Sequence, residues 1–122
     1  EGDASFYSTF TYLSQTLQRL HPEVRVETVA GVCSPLAAAA VLGHPLTILQ
    51  QRLMVLPALY AIADLEAALD QADVVVLMKV ASVYAEVWPI LERRQLLDNS
   101  AVVVRATREK KGFIQRCKTT AI

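Results

Sequence analysis

Cysteine, tryptophan, methionine and glycine are all scarce in this sequence, and no long apolar run interrupts it. Two cysteines, Cys33 and Cys117, in 122 residues are too few and too far apart for a disulfide framework or a zinc site. Free thiols in a reducing, cytosolic compartment are therefore expected. No apolar stretch reaches half of the roughly 20 residues that span a bilayer, and no basic-then-apolar leader opens the sequence. Neither membrane insertion nor secretion is expected. An excess of one charge is also missing: 12 Lys and Arg balance 12 Asp and Glu, so no net field draws in nucleic acid or an anionic membrane. Familiar catalytic signatures are absent as well. There is no Gly-x-Ser-x-Gly elbow, phosphate loop or His-Glu-x-x-His pair, and no carboxylate pair at a convincing spacing. His21 and His44 each lie beside a proline in a connector without an evident partner, which fits surface histidines better than a metal site.

What the sequence does contain is apolar material, 53% hydrophobic against 20% charged, enough for the core of one domain. Phe6, Phe10, Leu13, Leu17 and Leu20 recur at helical spacing, and His21-Pro22 ends that helix. Residues 23–29 alternate charged residues with Val24, Val26 and Thr28, the period of a strand with one wet face. An elbow, Ala30-Gly31-Val32-Cys33, leads into an Ala-rich helix over 36–42. Ser34 is placed to cap it, Pro35 to open it and Gly43 to close it. Leu53-Met54-Val55-Leu56 reads as a buried strand stopped by Pro57, and residues 74–78 as a strand covered on both faces. Between them Asp64 is placed to cap a helix over 65–69. A further helix is expected over 82–94, kinked or delayed by Pro89, then a last strand over 101–104. The polar, basic tail from 105 reads as a solvated edge or a truncated hairpin. Strands alternating with helices argue an α/β fold with a largely parallel or mixed sheet flanked by helices.

The carboxyl ends of three of these strands carry small or polar residues: Gly31-Val32-Cys33-Ser34, Met78-Lys79 and Ala106-Thr107-Arg108. Were the strands parallel, these clusters would share one rim, suited to a flat heteroaromatic ring held by main-chain bonds. Each cluster also has a plainer reading. Gly31 serves as a turn residue, Met78 as core filler, Cys33 as a small buried hydrophobe and Lys110-Lys111 as a solvated run.

The same residues resemble a known family. Gly2-Asp3-Ala4-Ser5-Phe6-Tyr7-Ser8 is similar to the Gly-Asp-Pro-x-x-Tyr-Ser segment of the tetrapyrrole (corrin/porphyrin) methyltransferases. Ala30-Gly31-Val32-Cys33-Ser34 resembles their Pro-Gly-Val-x-Ser elbow, Leu77-Met78-Lys79 their Leu-Met-Lys strand, and Ala106-Thr107-Arg108 their late Ala-Thr-Arg. The wording of residues 5–9 and of Leu77-Met78-Lys79 is most similar to the branch that methylates precorrin-2 at carbon-20 in cobalamin synthesis. Three positions depart from the pattern: Ala4 and Ala30 replace prolines, and Cys33 stands where Thr or Ser is common.

The resemblance implies a cytoplasmic, homodimeric, S-adenosylmethionine-dependent enzyme of two α/β domains with a tetrapyrrole substrate, the cofactor lying in the interdomain cleft. Carried over by position, Glu1, Gly2, Asp3 and Phe6 line the cofactor from the interdomain side, Cys33 and Ser34 from the elbow, Met78 from the central strand, and Ala106 or Thr107 from the last strand. Tyr7 lines the pocket, and no general base is assigned. On this reading residues 1–22 form an interdomain segment and helix, and 23–122 the C-terminal α/β domain. The amino-terminal domain with its Gly-x-Gly-Pro-Gly loop is then missing, and this chain is expected to be a fragment inactive alone. The alternatives are a sibling precorrin or uroporphyrinogen methyltransferase, and a non-catalytic ligand-binding α/β module.

Overall fold

Two short valine- and leucine-rich strands with a helix between them make the centre of the molecule. The computed structural model describes residues 2–107 and, as backbone, 114–116. Strands β1 (Leu53–Leu56) and β2 (Val74–Leu77) pair in parallel, Leu53 opposite Val74 and Leu56 opposite Leu77. Helix α3 (Ile62–Gln71) makes the crossover between them, the connection that parallel pairing requires. Pro57 lies just past β1, and Met78 N–H continues the pairing by donating to the Leu56 carbonyl at 2.9 Å.

Helix α4 (Tyr84–Arg93) packs against α3. Their apolar faces bury Leu65, Val87 and Ile90 with Leu59, and Leu56, Val75 and Leu77 from the strands close the cluster. Two start positions differ from the sequence reading. α3 begins ahead of Asp64, which falls in its first turn while Ala61 takes the cap position without a side-chain bond. α4 starts at Tyr84 after a short 3-10 turn over Val80–Ser82. Pro89 does not set that start, since it lies inside the helix. There it removes the one N–H that would have reached the Ala85 carbonyl.

An ionic cluster ties the solvent edges of α3 and α4 together. Arg94 donates to Glu66 Oε2 at 2.7 Å and to Asp70 Oδ1 at 2.6 Å, and Arg93 also reaches Glu66. The Arg94 bond, followed by its charge, holds the Asp70 carboxyl below the ordinary aspartate value of 3.8. A group with a lowered folded value stabilises the fold above its unfolded value and loses that contribution as pH falls through the folded value. Arg94→Met should therefore lower Tm at pH 7. The gap from the parent should narrow as pH drops below 3.8, which thermal melts across pH would show.

The first third of the chain is less enclosed. Helix α1 (Phe10–Leu20) carries the expected apolar stripe from Phe10 onward, with Phe6 ahead of the helix, but none of its residues is buried, and Leu13 and Leu20 are 64% and 65% exposed. Its first turn is served by Ser8, whose Oγ accepts Phe10 N–H at 3.1 Å. The stretch expected as a strand over 23–29 keeps its side-chain alternation only as far as Glu27, with Val24 and Val26 half-buried and Arg25 and Glu27 exposed, whereas Thr28 is exposed. It has no ladder partner among the described residues. Alternation decides which side chains turn inward, whereas a strand also needs a neighbour for its peptide groups.

Helix α2 (Ser34–Leu42) starts earlier than its sequence implied. Cys33 occupies the cap position in extended conformation and Ser34 is the first helical residue, so no side chain caps this helix. Gly43 closes it with φ +65°: its N–H reaches the Ala40 carbonyl and His44 N–H that of Ala39, both at 3.2 Å. This paired bonding needs a left-handed residue just past the helix.

After α4, strand β3 (Ala101–Val103) pairs antiparallel with β4 (Ile114–Arg116), Ala101 opposite Arg116. That pairing agrees with the hairpin reading of the tail. Lys110-Lys111 and Cys117 lie outside the described residues. Parallel and antiparallel pairings thus both occur in this α/β fold, in two separate two-stranded sheets among the described residues. No described helix is long and apolar enough to cross a membrane.

Candidate functional site

The elbow at 30–34 exposes backbone because its residues are small and the helix after it has no capping side chain. Gly31, Val32 and Ser34 are exposed, Cys33 is half-buried and Pro35 is buried beneath them. The N–H groups of Val32, Cys33, Ser34 and Leu36 find no acceptor among the described residues. A helix start of this kind carries unsatisfied donors and a partial positive charge. It can take an acceptor or an anionic group without displacing any protein contact.

The first residues of the chain lie directly against this elbow. Gly31 N–H donates to Asp3 Oδ2 at 2.7 Å, and Ser5 N–H donates to Oδ1 of the same carboxylate at 2.7 Å. These bonds, the Gly31 bond foremost, hold the Asp3 carboxyl below its ordinary value. Gly31 itself is not a positive-φ residue, so left-handed backbone freedom is not what the position asks of glycine. Glycine is required there by close approach, since a Cβ would lie 2.2 Å from the Gly2 carbonyl oxygen. Phe6 follows, its N–H directed to the Asp3 carbonyl at 3.4 Å, and its half-buried ring meets that of Tyr7 edge-on at 4.8 Å. Tyr7 is held at φ +51° with its side chain largely exposed.

Gly2, Asp3, Phe6, Cys33 and Ser34 are thereby brought to one place, the first three joined to the elbow through Asp3. Glu1 lies outside the described residues. Met78 is half-buried at the carboxyl end of β2, followed by Lys79 in left-handed conformation. Ala106 and Thr107 form a turn just past β3, the first half-buried and the second exposed. No hydrogen bond links Met78, Ala106 or Thr107 to the Asp3–Gly31 cluster among the described residues. The single rim expected of parallel strands is not built by one sheet: β3 pairs antiparallel with β4, and the elbow follows a segment with no ladder partner among the described residues. Arg108 is not among the described residues.

Ser5 was not among the expected contact residues, and Gly31 was expected only as part of the elbow. Asp-x-Ser is a local signal for an Asx turn, but nothing local announces a bond between positions 28 apart. A shallow concavity of about 440 Å³, lined by Ile48, Leu49, Gln50, Gln51 and Asp73, opens at the amino ends of β1 and β2. It faces away from the strand ends where α/β sheets bind ligands. Asp73 is already engaged there by Arg52, whose main-chain N–H donates to Oδ2 at 2.8 Å.

Comparison with known proteins gives a consistent result. The family model for tetrapyrrole (corrin/porphyrin) methylases matches residues 1–120. The cobalt-precorrin-2 C(20)-methyltransferase of Salmonella typhimurium is 37% identical over 106 residues, 87% of this chain and 44% of that protein. A probable cobalt-precorrin-2 C(20)-methyltransferase of Methanocaldococcus jannaschii is 34% identical over 113 residues, 93% of this chain and 46% of its own length. The cobalamin biosynthesis protein CobIJ of Mycobacterium tuberculosis is 36% identical over 107 residues, 88% of this chain and 20% of that protein. The chain thus spans less than half the length of each of these curated relatives.

Proposed function

The chain belongs to the tetrapyrrole (corrin/porphyrin) methylases, and from that premise we propose that it forms the C-terminal part of an S-adenosylmethionine-dependent enzyme that methylates carbon-20 of precorrin-2. Residues 1–22 are the interdomain segment with its helix and 23–122 the C-terminal α/β domain, in a cytoplasmic homodimer whose amino-terminal domain lies outside this chain. The carbon-20 assignment draws support from the Salmonella and Methanocaldococcus relatives, both named as cobalt-precorrin-2 C(20)-methyltransferases.

The observation that carries the reading is the apposition of Gly2 and Asp3 on an elbow with unengaged N–H donors. Small side chains, open main-chain donors and the nearby helix start fit the adenosyl and amino-acid parts of the cofactor. Cys33 and Ser34 would hold it from the elbow, Gly2, Phe6 and the main chain of Asp3 from the facing segment, and Met78 by apolar contact with the adenine. Ala106, Thr107 and Glu1 complete the proposed set. When bound, S-adenosylmethionine supplies a methyl group on a sulfonium that is itself a good leaving group. What the protein must add is alignment and exclusion of water, so no strong base is required.

Calorimetry with S-adenosylhomocysteine tests this, on the chain alone and on a hybrid in which it replaces the matching stretch of the Salmonella relative. Binding by the hybrid and not by the chain alone is expected, because the cleft then has both walls. No binding by either overturns the reading. Methylation of a tetrapyrrole panel by the hybrid would report the ring position. Met78→Asp, which sets a carboxylate against the adenine, should weaken binding about tenfold or more; unchanged affinity removes Met78 from the site.

A further inference from the structure

Asp3 stands at the surface, yet both oxygens of its carboxylate are engaged by main-chain donors. Oδ2 takes the Gly31 N–H and Oδ1 the Ser5 N–H, each at 2.7 Å. Such bonds to an ionised acceptor are short and stronger than neutral ones. The two stretches of main chain meet closely enough that Gly31 has no room for a Cβ beside the Gly2 carbonyl oxygen. The carboxylate thus does two things at once. It closes its own turn at Ser5, and it pins that turn to the elbow whose free donors begin at Val32.

We propose that the Asp3 side chain is a positioning group, a clasp that holds the Gly2 segment against the elbow and sets the width of the ligand slot without its carboxylate ligating the methyl donor. This rests on the S-adenosylmethionine reading given above. Its charge is turned toward the two N–H groups, so its loss should move the walls of the slot and leave the slot's affinity for a cation relative to a neutral ligand untouched. S-adenosylmethionine carries a positive sulfonium and S-adenosylhomocysteine does not. A carboxylate touching the donor would favour the first, whereas a clasp serves both alike.

The test measures the affinity of both ligands for the hybrid and its Asp3→Ala and Asp3→Asn variants. Asn keeps one acceptor but turns an amide donor toward the other N–H. Asp3→Ala should weaken both ligands by the same factor, about tenfold or more, with Asp3→Asn in between. Weakening confined to S-adenosylmethionine overturns the proposal, as does unchanged affinity for both. A second readout needs no ligand: in the 15N-labelled chain the Gly31 amide resonance should be flat from pH 7 downward and shift only below the ordinary aspartate value of 3.8. That shift should vanish in Asp3→Ala. A Gly31 amide that does not titrate overturns the clasp whatever the ligands do. If the hybrid with Asp3 intact binds neither ligand, the methyl-donor reading fails with it, while the Gly31 titration still decides whether the clasp exists.

Discussion

Replacing Leu65 by Ala is expected to lower the unfolding free energy by about 2–5 kcal/mol, the range for deleting a buried leucine side chain that leaves a cavity. Leu65 is 1% exposed and belongs to the cluster of Leu59, Val87 and Ile90 between α3 and α4. It sits on the crossover that joins the two parallel strands, so the cavity would open beneath the β1–β2 pair and against α4 together. Since domains keep roughly 5–15 kcal/mol in total, this one change should remove a large part of the stability of the chain. Leu13→Ala makes the contrast: Leu13 is a leucine of α1 that is 64% exposed, and its loss should change stability within about 0.5 kcal/mol. Urea unfolding followed by circular dichroism reads both. Equal losses at the two positions would show that α1, and not only the α3–α4 layer, is held in a core.

How much of this was legible in the sequence follows from what each pattern encodes. Residues 53–56 and 74–77 are apolar at every position, and both became strands, but the full burial expected of them was not reached: Leu53 is exposed and the other seven residues are half-buried. Gly43 at the end of an alanine run was readable because one residue type dominates the left-handed position. The stretch 23–29 carries the same kind of local information, a side-chain period, but hydrogen-bonded pairing is a property of two segments and no partner for it exists among the described residues. Likewise the stripe on α1 announced a face to be covered and said nothing of what covers it. For the site, small residues at the elbow were visible. The bond from Asp3 to Gly31, and the reason position 31 must be glycine, depend on which distant backbone comes to rest there.

That reason gives the second large expectation: Gly31→Ala should abolish measurable S-adenosylhomocysteine binding by the hybrid, while leaving the α3–α4 core intact. An alanine Cβ would stand 2.2 Å from the Gly2 carbonyl oxygen, 3.0 Å from the Gly2 carbonyl carbon and 3.1 Å from Asp3 Cα. All three are backbone atoms, so no side chain can swing away and one of the two main-chain stretches must shift. A shift of about 1 Å is enough to carry the Gly31 N–H beyond hydrogen-bond reach of Asp3 Oδ2. The segment that carries Gly2, Asp3 and Phe6 would then leave the elbow. Because Gly31 is not at positive φ, alanine's backbone preferences are not at issue and the substitution reads steric contact alone. Gly43→Ala is the opposite case, with φ +65° and nothing within 4 Å of its missing Cβ. It should lower stability by about 1 kcal/mol through strain at the end of α2 and leave ligand affinity alone. Measured side by side, lost binding without lost stability at position 31, and the reverse at position 43, would separate the role of close approach from that of backbone freedom. Wild-type affinity in Gly31→Ala would mean that the Gly2 segment does not need to touch the elbow for the ligand to bind.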